Sequence, residues 1–275
     1  MSTTALEEKA RHENFPVELR VLPARVRRDL MALYRYARYV DDLGDEWTGD
    51  REQALKGVVD DVHRLYEGRG PRLEVVRDLA PLVRRSGVPA DPWLRLVEAN
   101  LQDQNVSRYA TFEDLLGYCA LSANPVGEIV LYIFGQADAD RIALSDRVCT
   151  GLQLVEHWQD IAEDHGSGRV YLPQEDLRAF GVTEQMLAAG RATPELVDLV
   201  GFETDRALAW IDAGAFLVPL LHGWARLAVS GYIAGGRAAA AGIKKHGYDT
   251  LAGVPKPTSR EILRSLLAAS VRRPG

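Results

Sequence analysis

Two stretches of this chain carry residues that could do chemistry. The first, "LYRYARYVDDLGDE" (33–46), places Asp41, Asp42 and Asp45 within five positions. The second, "QLVEHWQDIAEDH" (153–165), spaces Gln153, Glu156, Asp160 and Asp164 three or four residues apart. On a helix turning about 100° per residue, Tyr34, Arg38, Asp41 and Asp45 fall within about 60° of arc, with Asp42 beside them. Gln153, Glu156, Asp160 and Asp164 form a similar stripe, with Glu163 at its margin. Like charges at i,i+4 repel by a few tenths of a kcal/mol, and Asp is a poor residue for a helix interior. A hard cation reverses that penalty. Mg²⁺ takes oxygen ligands and is commonly held by one or two carboxylates together with substrate phosphates. Two facing acidic helices could therefore hold several Mg²⁺ ions around a diphosphate and stabilise the charge that develops as a C–O bond breaks. Arg38, one turn before Asp41, could contact the same diphosphate. Either stripe alone is also what a solvated helix face looks like; two of them on separate predicted helices make the stronger signal.

Other chemistries fit less well. A di-iron bundle needs Glu-x-x-His on two helices, and no histidine here has Glu three residues before it. Calcium-loop spacing fails because position 162 is Ala and position 165 is His. Neither Cys119 nor Cys149 sits in a CxxC pair or a zinc-spaced cluster. The Gly-rich "YIAGGRAAAAG" (232–242) follows no strand, so close helix packing explains it better than a dinucleotide fingerprint. No GxSxG or nucleophile triad is present. The aromatic residues, Trp158 among them, read as core, a few being able to line a carbocation pocket. His157 reads as structural or exposed.

The elements that must position these residues are helices. Strand periodicity is absent, and apolar residues recur at helical spacing over 24–45 and 51–67. Further helices are expected over about 72–86, from Asp91-Pro92 with Asp as N-cap, from a Thr111–Asp114 capping box, and from Asn124-Pro125 to about 135. One uninterrupted helix is expected over roughly 140–164, ended by the Gly and Pro residues of "HGSGRVYLP". Short helices follow to about 192, then two long ones across 194–246 with a bend near Pro219, and a last one over about 259–272. About ten helices with no internal repeat and no long linker predict one all-α domain over 1–275, residues 1–11 being flexible.

The 275-residue chain is 47% hydrophobic with a net charge of −6, which gives nucleic acid no basis as a partner. Arginine outnumbers lysine, which suits anion contacts but also follows from high-GC coding. Sparse cysteine usage points to a reduced, cytoplasmic protein. The N-terminus lacks the apolar core of a signal peptide. The apolar run "GAFLVPLL" is too short to span a bilayer, and contact with a membrane surface stays open.

At the two acidic clusters the sequence resembles the squalene/phytoene synthase family, the head-to-head prenyltransferases. Tyr34, Arg38, Asp41, Asp42 and Asp45 match its Tyr/Arg-led DDxxD pattern. Gln153, Asp160, Asp164, Arg169, Tyr171 and Pro173 match its second pattern. "HENFPV" (12–17), "YCALSANPVGEIVL" (118–131) and "GYDTL" (247–251) place the likeness nearest the branch acting on presqualene diphosphate. The resemblance implies a single-domain isoprenoid synthase helical bundle with a central cavity. It implies that Asp41, Asp42, Asp45, Glu156, Asp160 and Asp164 hold metal, with Tyr34, Asp41, Asp45, Asp160 and Asp164 in the catalytic machinery. Asn14, Tyr34, Arg38, Gln153, Gln159, Arg169 and Tyr171 would contact substrate.

The implied reaction converts presqualene diphosphate and water to hydroxysqualene and diphosphate, in squalene and hopanoid biosynthesis, with several Mg²⁺ ions and without NADPH. The implied substrate is a small prenyl diphosphate; contact with other enzymes of the squalene pathway stays open. Two departures stand out. Glu156 occupies the position of the family's metal-binding Asn, keeping an oxygen ligand and adding a negative charge. The family's Ser/Lys-rich N-terminal diphosphate contact corresponds to the region of Glu13 and Asn14, without the lysine, which suits an enzyme taking one preformed diphosphate. The alternatives are head-to-head condensation to presqualene diphosphate or phytoene and, in another class, a non-catalytic helical binding protein.

Overall fold

The computed structural model describes residues 22–253. Asn14 and Glu13, the flexible start expected over 1–11, and the helix expected over 259–272 lie outside them. Among the described residues there are fourteen helices and one isolated β-bridge, so the all-α expectation holds. These residues gather into two compact units, one of 22–106 and 120–146, the other of 107–119 and 147–253.

The first unit is built on α1 (Ala24–Asp45), α2 (Arg51–Tyr66) and α5 (Asp91–Gln102). Helix α1 buries Val26, Leu30, Leu33, Tyr36, Val40 and Leu43, an i,i+3/i+4 apolar stripe in which the one buried acid, Asp29, pairs with Arg85. Tyr36 meets Trp93 edge to face at 5.2 Å and donates its hydroxyl proton to the Trp93 carbonyl at 2.9 Å. The Trp93 indole in turn donates to the Tyr66 hydroxyl at 3.0 Å. This buried polar chain fixes α1, α2 and α5 in register, because breaking any link strands a desolvated donor or acceptor. The stretch expected as one helix is two, α3 (Glu74–Arg77) and α4 (Ala80–Ser86). Buried Asp61 accepts from the Arg72 and Leu73 amides at 2.8 and 2.6 Å, which satisfies donors just before α3. Helix α5 includes Asp91 in its first turn, one residue earlier than expected. The unit also contains α7 (Asn124–Ile133).

In the second unit lies most of α6 (Phe112–Ser122), which opens on the expected capping box. The Thr111 hydroxyl accepts from the Asp114 amide at 3.1 Å, and Asp114 accepts from the Thr111 amide at 2.9 Å. Helix α8 (Ala139–Gln159), which belongs to this unit from Arg147 on, stops short of the expected end, and a separate α9 (Ile161–Gly166) follows. Asp160, at φ −103° and ψ 16°, is the residue between them. The unit continues with α10 (Gln174–Phe180), α11 (Glu184–Leu187), α12 (Pro194–Gly214), α13 (Leu217–Leu220) and α14 (Gly223–Lys245). The segment around Pro219 is thus a short helix of its own. Helix α8 packs closely on α12 because Gly151 lacks a side chain: a Cβ there would lie 2.8 Å from the Ala207 carbonyl oxygen. Gly236 of α14 seats Leu152 and Ile211 in the same way, which accounts for the small residues of 232–242.

The run Phe112–Ile133 has the length and mean hydropathy, 1.2, of a membrane span. It exceeds the apolar run noted in the sequence, but half of it is buried within the protein, as in a core helix.

Glu203 is fully buried on α12, with Oε1 accepting from Arg206 at 3.3 Å and Oε2 unpartnered. Burial, reinforced by the Asp176 and Glu175 carboxylates, pushes its pKa up to about 8. The folded state therefore holds a proton that the unfolded chain releases near the ordinary Glu value. Stability falls as pH rises from that value toward 8 and levels off above it. Glu203→Gln, which keeps the shape and removes the titration, should flatten the melting temperature between pH 5 and 8. An unchanged slope would contradict a protonated Glu203.

Candidate active site

The first acidic cluster lies on the last turns of α1. Asp41 accepts a hydrogen bond from Asn100 Nδ2 at 3.0 Å. Burial pushes the Asp41 carboxyl up to about 6; the Asn100 bond and Arg38 oppose the shift, while Asp45 and Asp42 add to it. Arg38 Nε lies 2.8 Å from Asp42 Oδ1 as an ion pair out of hydrogen-bond alignment, and its Nη2 is 3.4 Å from Glu46. Arg38 thus neutralises part of the cluster it was expected to lead. Tyr34 is half-buried on the same helix, and Asp45 is exposed.

Asn100 was not singled out in the sequence. It continues the buried face of Trp93, Leu96 and Val97 on α5 as its one amide, and a polar residue in an apolar stripe is the signal that could have found it. Its approach to α1 requires Gly44, where a Cβ would collide with the Asn100 side-chain oxygen. Gln104 adds a bond from its amide nitrogen to the Gly44 carbonyl at 3.2 Å.

The second cluster runs through the end of α8 into α9. Gln153, Glu156, Asp160 and Asp164 are all half-buried. Helical hydrogen bonding continues past the break, since the Asp160 amide donates to the Glu156 carbonyl at 3.0 Å and the Asp164 amide to the Asp160 carbonyl at 2.8 Å. Gln159 and Trp158 are buried, and the Trp158 indole donates to the Glu203 carbonyl at 3.1 Å. His157 is buried as well and stacks on Tyr171 at 3.7 Å. Burial lowers its pKa to about 3, so the ring is neutral.

Arg169 and Tyr171 are held by pairing with the segment before α6. Val170 donates to the Ser107 carbonyl at 2.9 Å, and Gln174 to the Tyr109 carbonyl at 2.9 Å. Arg108 grips Glu184 through two bonds of 2.7 and 2.8 Å and reaches the Gly168 carbonyl at 2.6 Å. Gly168, at φ 84°, makes the turn that starts this pairing. Tyr109, Tyr118 and Tyr171 pack with ring centroids 5.4 to 5.9 Å apart. His157, Ile161, Asp164, Arg169, Tyr171 and Leu187 line a crevice beside them.

Among the described residues, no three His, Cys, Asp or Glu side chains stand in a metal-ligating group. The donor set nonetheless fits a hard cation. The carboxylates of both stripes are oxygen donors, the ligand type that a hard divalent ion takes.

A model of the squalene/phytoene synthase family matches residues 9–261. A hydroxysqualene synthase of Sinorhizobium fredii is 31% identical over 76% of this chain and 71% of its own length. A presqualene diphosphate synthase of Rhodopseudomonas palustris is 32% identical over 71% of this chain and 74% of its own. The crystal structure of squalene synthase HpnC from Alicyclobacillus acidocaldarius has a TM-score of 0.81 and 38% identity, over 89% of this chain and 94% of that one. The family match spans both acidic stripes with the helices that carry them, and the chain belongs to the squalene/phytoene synthase family.

Proposed function

We propose that the protein converts presqualene diphosphate and water to hydroxysqualene and diphosphate, in a route to squalene and hopanoids. The likeness to the Sinorhizobium fredii hydroxysqualene synthase carries this reading. Asp41, Asp42 and Asp45 on α1 and Glu156, Asp160 and Asp164 on α8 and α9 are the proposed Mg²⁺ ligands. When bound, Mg²⁺ would neutralise the diphosphate and stabilise the charge that forms on the leaving oxygen. Arg38 and Arg169 bring fixed positive charge to the same anion, and Tyr34, Gln153, Gln159 and Tyr171 position it. Asn100 orients Asp41, and the pairing of 107–109 with 168–174 holds Arg169 and Tyr171 in place. The likeness to the Rhodopseudomonas palustris presqualene diphosphate synthase supports a second reading, condensation of two farnesyl diphosphates. Supplying farnesyl and presqualene diphosphates separately decides between them. The first reading expects product from presqualene diphosphate alone, and efficient formation of presqualene diphosphate from farnesyl diphosphate would favour the second.

The proposed place of work is the cytoplasm, at a membrane surface. Phe216, Leu220, Trp224 and Leu227, within twelve residues, are exposed large apolar side chains of the second unit. No acidic residue occurs over 213–248. Aromatic residues with nearby arginine suit a lipid interface. Paired Phe216→Ser and Trp224→Ser changes should reduce sedimentation with phosphatidylglycerol vesicles, and undiminished sedimentation would remove this surface from the account.

A further inference from the structure

Glu156 and Asp160 flank a histidine whose form is decided by its surroundings. His157 is 6% exposed, lies flat on Tyr171, and faces Tyr118 at 6.2 Å. An imidazole so enclosed is neutral, with one ring nitrogen a donor and the other an acceptor. Nδ1 lies 3.9 Å from Asp164 Oδ2, and Nε2 lies 3.3 Å from Gln153 Nε2. A carboxylate only accepts, so a bare lone pair on Nδ1 would be repelled by Asp164. The proton therefore sits on Nδ1, which leaves Nε2 as the acceptor. Of the Gln153 amide, only the NH₂ can satisfy an acceptor, so that end turns to the ring.

We propose that His157 is a positioning residue, its Nδ1–H turned toward Asp164, beyond hydrogen-bond reach, and its Nε2 accepting from Gln153, so that the neutral ring orients Gln153. Gln153 spends one N–H on the ring. Its amide oxygen and remaining N–H are what it can offer to a bound cation, water or diphosphate. The second acidic stripe is thus braced from inside by a group that carries no charge of its own. Hydrogen-bonded supports beside a metal or substrate site, such as the 3.3 Å contact of His157 to Gln153, typically change affinity or activity about 10- to 100-fold when removed. The consequence for turnover rests on the functional reading above; the ring's form does not.

Two measurements test it. Nitrogen-15 NMR of the metal-free protein at pH 7 should show the His157 ring as the Nδ1–H tautomer. Gln153→Ala should then move the Nε2 resonance toward that of an unbonded acceptor. An Nε2–H tautomer, an imidazolium, or a ring indifferent to Gln153→Ala would overturn the proposal. His157→Phe keeps the stack on Tyr171 and removes both nitrogens. It should lower Mg²⁺-dependent diphosphate release about 10- to 100-fold. In a Gln153→Ala background it should add little further loss, whereas full additivity would also overturn the proposal. The ring spectrum needs neither substrate nor metal and is read on a protein with His157 intact. It therefore decides the positioning even if His157→Phe fails to fold, or if the wild type consumes no prenyl diphosphate, which would sink the functional reading instead.

Discussion

Asp160→Asn should lower diphosphate release by about 100-fold or more, with a melting temperature close to that of the wild type. Asp160 precedes α9 at its N-cap position without a side-chain capping bond, so asparagine removes no cap from the helix. The substitution keeps the side-chain shape and removes the charge, so a large loss of turnover isolates the electrostatic role. Asp41→Asn should lose as much for the same reason. Burial, with Asp45 and Asp42 nearby, disfavours the charged form of Asp41, so its neutral isostere should fold at least as well as the carboxylate. Activity assays paired with thermal melts check both variants. Wild-type turnover in either would remove that residue from the proposed metal set, and loss of folding would assign it a structural role.

Chelating divalent cations with EDTA should abolish turnover, and added Mg²⁺ should restore it, with no response to NADPH. A ligand that binds only the folded state stabilises it by about 2.7 kcal/mol at one hundred times its dissociation constant. For a protein of this size each kcal/mol corresponds to roughly 2–4 °C. Mg²⁺ should therefore raise the melting temperature by several degrees. The combined Asp41→Asn and Asp160→Asn variant should lose that increase. Full activity in EDTA would contradict the metal assignment. A thermal shift that survives in the double variant would mean that Mg²⁺ acts on the surface at large.

The helices that carry the acidic residues were legible because their signals are local. Apolar spacing located α1 from Ala24 to Asp45, and reciprocal side-chain capping at Thr111 and Asp114 marked the start of α6. The small residues of 232–242 announced close packing, which Gly236 makes against Leu152. The features that were missed depend on residues distant in sequence or on a single backbone angle. One continuous helix was expected through Asp164 because nothing in the composition near Asp160 announces a break. The Asn100 contact to Asp41 requires α5 to cross α1 at Gly44, and no periodicity within either helix states that. Arg108 looked like one arginine among many until its segment paired with the one carrying Arg169 and Tyr171. His157 read as structural or exposed because a lone histidine in an acidic stripe has no local mark of burial. Its stacking partner, Tyr171, lies across a glycine turn.

Product identification from presqualene diphosphate, with Mg²⁺, without NADPH and in heavy-oxygen water, tests the central proposal most directly. The proposed function predicts release of diphosphate and a hydroxysqualene whose hydroxyl carries the heavy isotope from the solvent. Untouched presqualene diphosphate, or a hydrocarbon product with no solvent oxygen, would contradict it.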